Sequence, residues 1–241
     1  MRIAVVSDIH SNQEAFREVL ADIDRAHVDH IVSLGDNVGY GPEPEEVIRL
    51  IRKRNIPSIM GNHELGITDP SYLSWFNNSA RRSLEINRQL LSPGSIEYLR
   101  TLAPAFSIGR CLFVHGFPPD SATTYLFEVS EIQLKKAFSL MAQELCFVGH
   151  THDLQLIACD GRRVRYSPIA EGSIYLQEGT RYLINAGSVG QPRDGDNRSK
   201  YLIWDSEERR LEGRFLRYDI GKTVNGILAL GLPGINADRL W

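Results

Sequence analysis

Nine side chains in this 241-residue sequence could do chemistry together: Asp8 and His10, Asp36, Asn62 with His63 and Glu64, His115, and His150 with His152. Carboxylates, imidazoles and an amide can all ligate a metal ion, and seven of these are good ligands. No thiolate joins them. That donor set suits borderline-hard divalent ions such as Mn, Fe, Zn, Ni or Co. Each short spacing has an ordinary explanation when taken alone. Asp8-Ile9-His10 could be a strand-end turn, Gly61-Asn62-His63-Glu64 a loop with a helix cap, and Gly149-His150-Thr151-His152 a pair of surface histidines. The conjunction decides, because five of the seven histidines fall at the end of an apolar strand run, beside or after Gly, Asp or Asn or directly after the run.

The elements that must position them follow from the hydrophobic pattern. Ile3-Ala4-Val5-Val6, Ile31-Val32-Ser33-Leu34 and Ile56 to Met60 are short apolar runs alternating with helical segments, as a parallel sheet requires. The first helix is expected to start at Ser11, with Glu14 completing a capping box and Ala15, Phe16, Val19, Leu20 and Ile23 on one face. A second follows the Gly39 to Pro44 turn and carries Val47, Ile48 and Ile51, with Pro44 in its first turn. Helices are also predicted over Ser79 to Leu91 and Ser95 to Leu102, then strands over Cys111 to Val114 and Cys146 to Val148. Beyond residue 150 short, mostly antiparallel strands take over: Leu154 to Cys159, Arg162 to Tyr166, Ser173 to Leu176, Arg181 to Ile184, Tyr201 to Trp204 and Arg210 to Phe215. Asp160-Gly161 between two of them signals a hairpin, and Asp219 to Leu230 closes the chain as a helix.

No repeat or linker divides the chain. The expectation is one domain over residues 1–241, with βα units over 1–150 and a mainly antiparallel second sheet plus a C-terminal helix over 151–241. The fold class is α/β: a mixed β-sandwich of two sheets flanked by helices on both outer faces. The carboxyl ends of strands in such sheets converge on one crevice, which would gather the nine side chains from distant parts of the sequence.

Bulk properties narrow the function. A formal charge of -3 gives no overall cationic field, so long nucleic acid held by many phosphate contacts is not expected. Cys111, Cys146 and Cys159 form no C-x-x-C pair and read as core thiols, which favours a reducing compartment. The N-terminal residues carry no cleavable signal pattern, and no apolar run approaches the ~18 residues of a membrane span, so a cytoplasmic protein with no membrane role is expected.

Asp8-Ile-His10, Gly35-Asp36, Gly61-Asn62-His63-Glu64, His115-Gly116 and Gly149-His150-Thr151-His152, in this order, resemble the motifs of the calcineurin-like metallophosphoesterases. The resemblance implies that Asp8, His10 and His152 hold one metal ion, that Asn62, His115 and His150 hold a second, and that Asp36 bridges both. Two cations ~3.5–4 Å apart repel and need a shared anion, which Asp36 supplies; a water between them loses its proton near neutral pH and becomes the nucleophile for in-line attack on a phosphoester. His63 beside the metals is the candidate proton donor to the leaving oxygen. Glu64 is expected to orient neighbours or start a helix rather than to ligate. Asn62, Tyr40 and Arg193 are the expected substrate contacts, the last on a Gly-rich turn, Asn185 to Gly190, whose backbone N–H groups could face an anion.

The expected activity is hydrolysis of a small soluble phosphodiester or nucleotide. A protein Ser/Thr phosphatase or a dinucleoside polyphosphate hydrolase is the alternative, and both branches differ from this chain: Gly35-Asp36 continues Asn37-Val38-Gly39 and Glu64 continues Leu65-Gly66, without the arginines that those branches place there. A non-catalytic metal-dependent binding scaffold is a third reading, opposed by the intact ligands and His63. The segments expected to choose the substrate are Leu65 to Asn78 and Gly116 to Val129. Within the first, Tyr72, Trp75 and Phe76 are read as a helical core face in preference to a base-stacking wall. Arg162, Arg163 and Arg165 are read as a solvated strand edge, and His27 and His30 as ordinary helix-end and strand-start residues.

Overall fold

The structure is a computed structural model describing residues 1–241. Its first strand, β1 (Arg2–Val6), buries Ile3 to Val6 completely and leads through a tight loop into α1 (Gln13–Ala26). The apolar face expected of α1, Ala15, Phe16, Val19, Leu20 and Ile23, is buried. Its cap is Asn12, whose side chain accepts from Ala15 N, and not Ser11. Ser11 sits at φ +54°, its N–H donates to Asn37 O, and its hydroxyl donates to Asn87 Oδ1, so the loop geometry takes the residue that the capping box was expected to use.

Parallel to β1 runs β2 (His30–Ser33), followed by α2 (Pro44–Lys53), which has Pro44 at its start. Ile56 to Met60 is not a strand: it makes only the single bridges Ser33↔Ser58 and Ile59↔Ala103. Pro57 removes one ladder donor there, as expected for proline within a run. Next come α3 (Asn62–Thr68), a 3-10 turn at Pro70–Trp75, α4 (Asn78–Leu90) and α5 (Pro93–Arg100). The hairpin β3 (Ala105–Ile108) and β4 (Cys111–Val114) precedes α6 (Glu131–Leu140) and β5 (Leu145–Val148). The rest of the chain supplies β6 (Leu154–Cys159), β7 (Val164–Pro168), β8 (Gly172–Tyr175), β9 (Arg181–Ala186), β10 (Ser199–Asp205), β11 (Arg210–Leu216), α7 (Ile220–Ala229) and α8 (Gly234–Asp238).

The strands form two sheets, ordered β2-β1-β10-β11-β8 and β3-β4-β5-β9-β6-β7. The two halves of the chain therefore do not divide the sheets: β10, β11 and β8 complete the first, while β6, β7 and β9 complete the second. The C-terminal half could not build a sheet of its own because β1 and β5 leave open edges that β10 and β9 fill. Between the sheets lie Ile3, Val5, Phe113, Phe147, Leu202 and Trp204. The outer face of the first sheet packs Val6, Tyr201 and Ile203 against Phe16, Val19 and Ile48 of α1 and α2. The outer face of the second packs Val114, Cys146 and Val148 against Leu134 and Phe138 of α6. The result is the expected helix-sheet-sheet-helix stack. All three cysteines are buried thiols, and β7, with Arg165, is the exposed edge strand. No helix is long and apolar enough to cross a membrane.

Candidate metal centre and its pocket

Each strand-end loop is bent to the point where its side chain turns inward. Seven non-glycine residues of this region have positive φ: Asp8, His10, Ser11, Asp36, Tyr40, His150 and His152, at 48–70°. Such conformations cost about 1–3 kcal/mol each and survive where the surroundings over-determine them. Here the N–H groups of Asp8, His10 and Ser11 donate to the carbonyls of Gly35, Asp36 and Asn37, lacing the β1 loop to the β2 loop. His150 N donates to Asp8 Oδ2 (3.1 Å), which also accepts from Ser7 Oγ, and so ties the two sheets together at the site.

The seven expected ligands converge there. His10 Nε2 and His152 Nε2 lie 3.0 Å apart, with Asp8 Oδ1 at 3.6 Å from the first and 3.2 Å from the second. His115 Nε2 lies 3.1 Å from Asn62 Oδ1 and 3.2 Å from His150 Nδ1. Asp36 Oδ2 stands between the groups, 3.9 Å from His10 Nε2 and 3.3 Å from His115 Nε2. Three clusters of ligand atoms result, Asp8-His10-His152, Asp36-His115-His150 and His10-Asp36-His63, each within 4.8 Å internally.

Three rings are aimed by the backbone: Nδ1 of His10, His115 and His152 meets the carbonyls of Val38 (3.0 Å), Leu34 (2.7 Å) and Gln191 (2.5 Å). A neutral imidazole that donates Nδ1–H to a carbonyl carries a lone pair on Nε2, and Nε2 is the atom that each of these rings turns toward its cluster. Asp8 Oδ1, buried, accepts no hydrogen bond. Both features suit a cation. Burial lowers His150 to about 3 and His152 to about 4, so both are neutral and ready to ligate. Burial also works to lower His115, but Asp36 and Asp8 prevail and raise it to about 9. Asp8 and Asp36 stay ionised: burial opposes this, and the surrounding imidazoles override it. Without a metal, a proton on His115 partly neutralises these two carboxylates.

His63 lies beside the clusters, its Nε2 3.9 Å from Asp36 Oδ2, and is packed among Tyr40, His10 and Phe76 at ring separations of 4.7, 4.6 and 5.2 Å. Burial, with the neighbouring imidazoles, holds it neutral. Gly39 makes room for it, since a Cβ there would stand 1.9 Å from His63 Nδ1. Glu64 belongs to none of the three clusters. Its carboxylate accepts from Asp36 N, Asn37 N, Asn37 Nδ2 and Gly61 N (2.7–3.2 Å), starting α3 and fixing the Asp36 loop, and burial beside Asp36 raises it to about 7.

With this geometry in place, comparison with known proteins is decisive. Residues 1–209 match the model of the calcineurin-like phosphoesterase superfamily domain. An uncharacterized protein of Methanocaldococcus jannaschii is 35% identical over 99% of this chain and 97% of its own length.

The chain belongs to the calcineurin-like phosphoesterase superfamily.

A metallophosphoesterase from Sphaerobacter thermophilus has the same fold, with a TM-score of 0.87, 36% identity and coverage of 100% of this chain and 98% of that one. A hypothetical protein from Pyrococcus horikoshii, at 19% identity and TM-score 0.80 over 100% and 97% of the two chains, shares the fold.

Outside the ligands, this phosphoesterase-family chain departs from expectation in two places. Three N–H groups of the Asn185 to Gly190 turn are already taken: Gly187 N donates to Asn185 Oδ1, Val189 N to Ser7 O and Gly190 N to Asp8 O. Asn185 Nδ2 and Ser188 Oγ donate to Gly149 O and Asp8 O, so the turn braces the ligand loops from behind. Arg193 beyond it is exposed, with its guanidinium 5.7 Å from the Tyr40 ring and bonded to Gln191 Oε1.

The second departure is the aromatic cluster. Trp75 is 73% exposed, and with Tyr72, Phe76, Tyr125, Glu128 and Tyr40 it lines a pocket of about 350 Å³ that opens on Asn62, His63 and His150. The core reading fails for Trp75, because Pro70 starts a 3-10 turn that carries it to the pocket instead of into a helix face, while Phe76 is half-buried and packs against the core. Both segments expected to choose the substrate do line this pocket. Two contributors escaped the sequence. Tyr125 stacks on His150 at 3.7 Å, and Asn87 holds the Gly39–Gly41 loop through Gly39 N, Ser11 Oγ and Gly41 O. Asn87 had a signal, since Ser83 and Asn87 put polar side chains four apart on the buried face of α4. A larger apolar hollow beside α6, about 510 Å³, contains none of the ligand residues.

Proposed function

We propose that the chain is a divalent-metal-dependent phosphohydrolase acting on small phosphodiesters or nucleotides. Asp8, His10 and His152 would hold one ion, Asn62, His115 and His150 the other, and Asp36 both. Bound there, a pair of divalent ions supplies positive charge for the phosphoryl oxygens and acidifies a water for in-line attack. The observation that carries the proposal is the position of Asp36 Oδ2, within reach of imidazoles from both groups.

The remaining work belongs to the side chains. His63 is neutral in the buried site, and an anionic ester brought beside it opposes that effect, so the ring takes a proton as substrate binds and releases it to the leaving oxygen. Arg193, exposed over Tyr40, offers guanidinium donors to a phosphoryl oxygen. A panel of divalent ions against bis(p-nitrophenyl) phosphate and nucleotides tests this. Hydrolysis should appear with manganese, vanish in EDTA and with Asp36→Asn, and fall by about 10²–10⁴ in kcat with His63→Ala. No hydrolysis with any ion, or full activity in the Asp36 variant, would sink the proposal.

A further inference from the structure

The pocket beside the candidate centre has a composition that fits one kind of substrate group. None of its lining residues is Lys or Arg, and its walls come from Tyr40, Tyr72, Trp75, Phe76 and Tyr125. The wall is built rather than loose: Arg81 Nε donates to Leu73 O (3.1 Å) and its Nη2 to Phe76 O (3.4 Å), clamping the turn that carries Trp75. Tyr125, also on the wall, is fixed by stacking on His150 at 3.7 Å. Such a pocket does not suit a second phosphate, which would need cations. It suits an uncharged planar ring, and rings of every base type stack on aromatic side chains.

Among the polar side chains that line the pocket, Glu128 is the one carboxylate. It offers acceptors only, whereas Asn77, whose Oδ1 accepts from Ala80 N, also offers an amide N–H₂. A carboxylate beside an aromatic slot recognises a ring that bears an amino group on its edge.

We infer that the pocket of Trp75, Phe76, Tyr125 and Glu128 is a nucleobase slot, which makes the substrate a phosphoester of a nucleoside with an amino-bearing base. This rests on the proposed phosphoesterase reading only in placing the phosphate at Asn62, His63 and His150, which the slot adjoins.

The test compares two ligands that differ by the base alone, adenosine 5′-monophosphate and ribose 5-phosphate, by calorimetry on the full chain loaded with manganese. Adenosine 5′-monophosphate should bind at least ten-fold more tightly. Trp75→Ala should weaken it about ten-fold more than it weakens ribose 5-phosphate, Trp75→Phe should restore most of the difference, and Glu128→Gln should weaken it without changing ribose 5-phosphate to the same extent. Equal affinity of the two ligands, or equal loss of both in Trp75→Ala, would overturn the inference. Failure of the metal centre shows differently, as absence of binding by either phosphate. In that event adenosine titrated into the metal-free chain decides the slot by itself: quenching of tryptophan fluorescence that disappears in Trp75→Phe supports it, and no quenching overturns it.

Discussion

Replacing Glu64 by Ala should cost about 3–6 kcal/mol of folding stability although the residue is expected to touch neither metal nor substrate. The wild-type carboxylate, fully buried, is the partner of the N–H groups of Asp36, Asn37 and Gly61 and of the Asn37 amide. A buried donor left without an acceptor costs about 1–3 kcal/mol, and four are released together; water entering the vacated space recovers part of that. The remainder is a large share of the ~5–15 kcal/mol of an ordinary domain. At ~2–4 °C per kcal/mol for a chain of this size, Tm should drop by about 6–24 °C. Thermal unfolding followed by circular dichroism in EDTA measures it. The pH dependence adds a sign. The Glu64 carboxyl in the fold is raised to about 7 from 4.5, so its contribution is fully present below about 4.5 and declines as the pH rises to 7. The stability lost in Glu64→Ala should therefore be larger at pH 5 than at pH 8. A change below about 1 kcal/mol at pH 5, or a larger loss at pH 8, would refute this account of how the Asp36 loop is held.

Three further outcomes follow from single contacts. Gly39→Ala puts a Cβ against His63 Nδ1 at φ +92°, and should reduce kcat by ~10²-fold or more while both metals still bind; unchanged kcat in a folded variant would remove His63 from the mechanism. Tyr201→Phe deletes the hydroxyl that donates to Asp22 Oδ2 at 2.8 Å, a hydrogen bond to a charged group worth ~1.5–3 kcal/mol. Although burial works against it, the Tyr201 hydroxyl and the Arg214 guanidinium hold the Asp22 carboxyl below 3.8, so its stabilisation is present above that value and lost as the pH falls further. The acid-unfolding midpoint of Tyr201→Phe should accordingly move to higher pH, and an unmoved midpoint would contradict the pairing. Arg193→Ala should raise KM by about ten-fold with kcat little altered, by loss of a charge-assisted contact; an unchanged KM would retire Arg193 as a substrate contact.

Much of the candidate site was legible because a site able to hold metal ions restricts both residue type and position. Asp8, His10, Asp36, His115, His150 and His152 all stand just past apolar runs, and an apolar run that ends in Asp or His has few structural explanations. The strands and helices around them were equally plain, since Phe16, Val19 and Ile23 or Val47, Ile48 and Ile51 repeat with the period of the face that they bury. What stayed hidden depends on the path of the backbone. The cap passed from Ser11 to Asn12 because a loop with three successive hydrogen bonds to the Asp36 loop claims Ser11. Trp75 left the core because a proline and a 3-10 turn redirect it, and periodicity cannot see a change of direction. Tyr125 sits in a segment with no period at all, and only the fold brings it onto His150. The helix α6 had a readable start, the capping box of Ser130 with Gln133, but its apolar face is narrow, with Leu134 and Phe138 alone buried.

Equilibrium dialysis against manganese, followed by elemental analysis of the protein, tests the central claim most directly. Two ions per wild-type chain are expected, and fewer than two in Asp36→Asn at the same free manganese, because the shared carboxylate is what lets the second ion sit beside the first. A wild-type chain that saturates below two ions, or an Asp36→Asn chain that still takes up two with unchanged affinity, would contradict it.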